Sequence, residues 1–185
     1  MFVKEMLKQS LPLLIVCGIG GIVAGRTLGE MIYLLKSIPG LIIIVPAIIA
    51  LRGNISTTFG SRLGSAYHLG VIDAENMWNE DLKQNIIGSL ILSFLISIII
   101  GILSYLVTII FFNFTPNPIK IILIVLIAGI LSGIILTLLT IVIIFIVFKR
   151  GYDPDNITGP ALATFGDIIT MFCIFGSAIL IEVLL

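Results

Sequence analysis

The sequence predicts an all-α integral membrane protein with five transmembrane helices, its N-terminus inside and its C-terminus outside. Three observations carry that fold class. The 185 residues are 59% hydrophobic and only 11% charged, against about 25% charged for a soluble domain, and the mean hydropathy is +1.27. The apolar residues fall into five stretches separated by connectors rich in Pro, Gly and Asn. Polar residues inside those stretches concentrate in the second and the fifth. A net charge of zero excludes a basic nucleic-acid binder, and Cys17 and Cys173 sit in apolar runs with neither disulfide nor metal-ligand spacing.

A helix needs about 20 apolar residues to cross a bilayer, and each stretch qualifies. The first runs over about 10–35, with Arg26 and Glu30 at a spacing that lets them pair. Lys4 and Lys8 ahead of its apolar core resemble a signal peptide, but no convincing small-x-small cleavage site follows and further spans come after it. The second covers about 38–68 and is the least apolar; the third covers 84–112, the fourth 119–148 and the fifth 158–185. Ser37-Ile38-Pro39-Gly40, Thr115-Pro116-Asn117-Pro118 and Gly151 through Pro154 supply turn chemistry between them. A polar loop, 70–83, holds Asp73, Glu75, Glu80 and Asp81, with Trp78 as an interfacial anchor. With the N-terminus inside, that side collects Lys4, Lys8, Arg62, Lys83, Lys149 and Arg150, and the outer side Lys36 and Lys120. Cytoplasmic loops carry the excess of Lys and Arg, so this bias sets the orientation.

Small residues at helical spacing mark Gly21, Gly25 and Gly29 in span one, Ser93, Ser97, Gly101 and Ser104 in span three, and Gly129 and Gly133 in span four. They are read as packing faces, since small residues let membrane helices approach closely.

Span two differs in kind. After an apolar half containing Pro46, Gly53, Thr57, Gly60 and Gly64 form one helical row and Asn54, Thr58, Ser61 and Ser65 the adjacent one. Such a face is wasted against lipid and lines either water or another polar helix. In span five Asp153 suits an N-cap and Pro154 the first helical position. Pro160 lacks an N–H, so the Asn156 carbonyl loses its helical partner, and Gly159 allows a local distortion. Asn156, Gly159 or Pro160, Ala163, Asp167 and Thr170 then share one side.

Asp167 is the costliest residue in the chain. A carboxylate at mid-span costs about 2.5–3.5 kcal/mol on insertion scales and therefore faces a bundle interior, a partner or an aqueous path. Freed carbonyls plus one carboxylate are hard oxygen ligands, which suit Mg2+, Ca2+ or Mn2+ over Zn2+ or Cu+. Mg2+ keeps much of its hydration shell and needs few carboxylates, whereas a dehydrating Ca2+ site wants more than these spans supply. Two other readings stay open: a structural ion pair with Arg52, and a proton relay.

At these residues the chain resembles the membrane domain of MgtE-type magnesium channels and the related solute-carrier magnesium transporters. The likeness lies in Pro46 through His68, especially Leu51-Arg52-Gly53-Asn54 and Ser61-Arg62-Leu63, and in Tyr152-Asp153-Pro154-Asp155-Asn156 through Gly166-Asp167. The resemblance implies a single five-span domain over 1–185 that works as a homodimer, with a polar pathway lined by spans two and five of both copies. It implies Mg2+ as the transported ion, with no resident cofactor, recognised by Asp167 while largely hydrated. Asn156, Gly159 and Ala163 would join Asp167 at the ion, and Gly53, Asn54, Thr57, Gly60, Ser61 and Thr170 would line the path. With about nine residues ahead of span one, no soluble regulatory domain is expected, leaving room for a separate cytosolic regulatory chain. The sequence-level reading is a multi-pass protein of the cell membrane, surrounded by lipid, that passes divalent cations. The rivals are a Na+- or H+-coupled divalent cation exchanger and a non-transporting membrane scaffold or assembly subunit. No nucleophile–base set or phosphate loop supports an enzyme.

Overall fold

A computed structural model describes residues 2–72, 78–112, 115–150, 152 and 154–185. All of its regular elements are helices: α1 (Phe2–Glu30), α2 (Ile32–Ser37), α3 (Leu41–His68), α4 (Glu80–Phe112), α5 (Pro118–Lys149) and α6 (Pro154–Leu184). Five are long and apolar enough to cross a membrane, over Ser10–Glu30, Leu41–His68, Glu80–Phe112, Pro118–Lys149 and Ile157–Leu184. Among the described residues there is no strand, as a lipid-embedded chain requires when each segment must satisfy its own backbone.

The boundaries differ from the sequence reading where local chemistry decides. The first span does not run on to Leu35; α1 ends at Glu30, and Met31, fully buried, starts a separate short helix. The Met31 amide is shared between the Thr27 and Leu28 carbonyls, each at 3.1 Å, which tightens the last turn and redirects the chain. Gly40 at φ 94° then lets α3 start three residues later than expected. Asn117 caps α5, its Oδ1 accepting from the Ile119 amide at 3.0 Å, with Pro118 in the first turn. Helix α6 passes through Gly159 and Pro160 unbroken, so the predicted distortion reduces to the backbone bond that proline cannot donate to Asn156. The expected cap at Asp153 and the loop acids Asp73 and Glu75 lie outside the described residues.

Helix α5 touches α3, α4 and α6, and α1 lies against α6 at the edge of the bundle. Contacts at both ends fix the alternation of the helices. At one end Tyr67 of α3 stacks on Phe148 of α5, ring centroids 3.7 Å apart. At the other, Lys120 of α5 reaches Glu182 of α6 at 3.4 Å.

The apolar core is in two parts. One joins Met31, Leu34, Leu41, Ile44, Ile48, Ile121, Ile124 and Ile174; the other joins Phe59, Leu63, Ile72, Leu82 and Ile144. On α3 the two clusters stop at Ile48 and resume at Phe59, with buried Arg52 and Ser56 between. The small-residue faces of α4 and α5 close on each other as packing faces: a Cβ on Gly101 would lie 3.2 Å from the Ile122 backbone. The α1 stripe behaves otherwise, since a Cβ on Gly21, Gly25 or Gly29 would meet nothing within 4 Å, and Gly20 instead packs on Thr164 and Ile168 of α6.

Candidate functional site

Helix α3 turns one row of its polar half to α4, one to α6 and leaves one open. Arg52, Ser56, Phe59 and Leu63 are buried, with the Arg52 head group on α4. Gly60 and Gly53 turn toward α6: a Cβ on Gly60 would lie 2.8 Å from Leu162 Cδ1 and 3.1 Å from Thr158 Cγ2. The third row, Asn54, Thr58, Ser61 and Ser65, is exposed. Among the described residues nothing covers this row, although it belongs to a membrane-spanning helix.

Between α3 and α6 lies a cavity of about 320 Å³ lined by Thr57, Gly60, Ser61, Gly64, Ser65, His68, Thr158 and Gly159. It unites Thr57, Gly60, Ser61 and Gly159 of the expected set. Four of its residues were not among the expected site residues: Gly64, Ser65, His68 and Thr158. Gly64 and Ser65 continue the small-polar rows of span two, so their signal was present; Thr158 carried none beyond its place before Gly159. The Thr158 hydroxyl is buried with no hydrogen-bond partner, although the residue itself lines the cavity. Thr57 Oγ1 donates to the Gly53 carbonyl at 2.8 Å and the Asn54 carbonyl at 3.2 Å, leaving its lone pairs free.

Farther along α6, the α3 and α6 backbones come together at Gly53 and Gly166, where a Cβ on Gly166 would lie 3.8 Å from Gly53 N and Cα. Asp167 is the next residue, and it is half-buried. Neither Asp167 nor the half-buried Ala163 lines the cavity. Thr170 is fully buried, its hydroxyl without a partner. Asn156 falls in the first turns of α6, and its side chain lies outside the described ones.

Arg52 does not hold Asp167. Its guanidinium donates from Nη1 to Ser93 Oγ at 2.5 Å, and from Nη2 to the Ser93 carbonyl at 3.2 Å and Ser97 Oγ at 3.1 Å. The salt bridges among the described residues are Arg26–Glu30, Lys83–Glu80 and Lys120–Glu182, so no described cationic side chain lies within 4 Å of the Asp167 carboxylate. Among the described residues no group of three or more His, Cys, Asp or Glu could close around a metal ion. The chemistry available is one carboxylate with hydroxyl and carbonyl oxygens nearby, a sparse hard-donor set suited to a cation that retains its water.

Comparison with known proteins bears on this arrangement. A family model, MgtE, described as a divalent cation transporter, matches residues 45–177. Solute carrier family 41 member 2 of Gallus gallus is 30% identical over 179 residues, covering 90% of this chain and 30% of the relative. The Homo sapiens protein of that name gives the same identity and coverage. Solute carrier family 41 member 3 of Rattus norvegicus is 26% identical over 173 residues, covering 88% of this chain and 36% of its own. The chain thus spans about a third of the length of these curated relatives.

Proposed function

The chain belongs to the MgtE family of divalent cation transporters, and from that premise we propose that this multi-pass membrane protein passes Mg2+ along the α3 and α6 faces, with Asp167 recognising a largely hydrated ion. The observation that carries the reading is the uncovered polar row Asn54, Thr58, Ser61 and Ser65 on α3, together with a mid-span carboxylate on α6 that no described cationic side chain pairs. Lipid cannot satisfy such a row, and an unpaired acid at that depth marks an ion route.

Two copies facing each other through α3 and α6 would cover the row, join the two cavities and bring two Asp167 carboxylates to one axis. A pair of carboxylates plus oxygens from Gly53, Asn54, Asn156, Gly159 and Ala163 would supply charge without stripping the ion of water, which Mg2+ releases reluctantly. Hydroxyls of Thr57 and Ser61, with Thr158, would hand the hydrated ion through the cavity toward the His68 end. Lys4, Lys8, Arg62, Lys83, Lys149 and Arg150 favour that end as the cytosolic one.

The test is Asp167→Asn in a host that depends on imported magnesium. Growth rescue and Mg2+ uptake are expected to vanish while the protein still reaches the membrane. Undiminished uptake by this variant would remove Asp167 from the mechanism.

A further inference from the structure

Arg52 is the one fully buried cation among the described residues, and its surroundings are built for it. It stands in the middle part of α3, and it is 2% exposed. Its hydrogen bonds all run to neutral oxygens, those of Ser93 and Ser97. Its seat on α5 is two glycines: a Cβ on Gly133 would lie 2.8 Å from Nη1, and one on Gly129 3.1 Å from Nη2. The Nε proton has no partner. No described carboxylate lies within 4 Å to neutralise it.

Serines and glycines bind helices together without any charge. A guanidinium held at membrane depth by neutral groups alone is expensive as glue. Its position supplies a different use. The next residue, Gly53, meets Gly166, and Asp167 follows on α6, so the fixed positive charge lies one residue from the α3–α6 contact that adjoins the acid. In a low-dielectric interior such a charge acts over several ångströms with little screening.

We infer that Arg52 is an affinity-setting residue: a fixed charge, clamped by Ser93 and Ser97 behind the ion-facing turn of α3, that weakens cation occupancy beside Asp167 and so speeds release. The inference rests on the assignment of Asp167 to the ion. Without a load, Arg52 and Asp167 balance within one protomer. A divalent ion entering between two Asp167 carboxylates feels their attraction less the repulsion of two arginines, so it binds loosely enough to leave. Arg52 touches no ion itself.

The experiment measures the concentration dependence of Mg2+ uptake in vesicles for Arg52→Gln, Arg52→Lys and Ser97→Asp, with Asp167→Asn alongside. Arg52→Gln removes the charge. Ser97→Asp keeps the arginine and its bonds to Ser93 but places a neutralising carboxylate where Ser97 Oγ now accepts from Nη2. Both are expected to lower the half-saturating Mg2+ concentration at least about fivefold, with a reduced maximal rate. Arg52→Lys keeps the charge and loses the fork, so its half-saturation stays near that of the parent while its rate falls. An unchanged half-saturation in Arg52→Gln and Ser97→Asp, with Asp167→Asn inactive, overturns the inference and leaves the ion site standing. Loss of inserted protein in both variants assigns Arg52 a purely structural role and also overturns it. Undiminished uptake by Asp167→Asn overturns the ion site and this inference together.

Discussion

Two polar seams run through one bundle and differ in how their hydrogen-bonding groups are satisfied. Along α4 and α5, Ser97 donates to the Ser93 carbonyl, Thr108 to Ser104, Ser132 to Ala128 and Thr140 to Leu136, all at 2.6–2.7 Å and all buried. Along α3 and α6, Asn54, Thr58, Ser61 and Ser65 are exposed, and Thr158 and Thr170 have hydroxyls without partners. Both seams are written with the same residue types. Thr57 and Thr164 of the second seam also turn their hydroxyls back on their own helices, so the difference lies in the exposed row of α3. What separates the two seams is exposure and not composition.

That contrast breaks first at Asp167. Asp167→Asn is expected to cut Mg2+ uptake by at least about tenfold, because the intramembrane charge is the ion's main attraction, with the protein level in isolated membranes unchanged. Next is Gly60→Val, which drives a side chain into Leu162 and Thr158. Overpacking there costs about 1–3 kcal/mol and fills the cavity; uptake is expected to fall severalfold together with the melting temperature in detergent. Cysteine scanning sharpens the comparison by reading water access directly. In a chain lacking Cys17 and Cys173, Ser61→Cys is expected to react with a membrane-impermeant, water-soluble maleimide in inside-out vesicles, and Ser97→Cys to stay unlabelled. Equal labelling at both positions would erase the distinction between the seams. The smallest effect belongs to Ser132→Ala, which removes a hydrogen bond worth about 0.5–1.5 kcal/mol and is expected to lower the melting temperature slightly while leaving uptake unchanged.

Much of this site was legible in the residues. Gly53, Thr57, Gly60 and Gly64 do form the row toward α6, and Asn54, Thr58, Ser61 and Ser65 the open row beside it. Arg52 was harder. Its place at membrane depth offered Asp167 as a partner, yet three neutral oxygens on α4 hold it. The glycine stripe of α1 was likewise indistinguishable from that of α5, though one is open and the other seats a guanidinium.

The sequence by itself determined the spans, their helical state and the identity of every polar group placed at membrane depth. In hydrocarbon a backbone must bond itself, so hydropathy and length suffice for that much. Only the tertiary structure decided which way each helix is turned about its axis. Arg52 is held on α4, and the Thr158 and Thr170 hydroxyls are sealed, because neighbouring helices set that rotation through close packing. A polar side chain in a span announces that it needs a partner; the sequence does not say whether that partner is another helix or the ion.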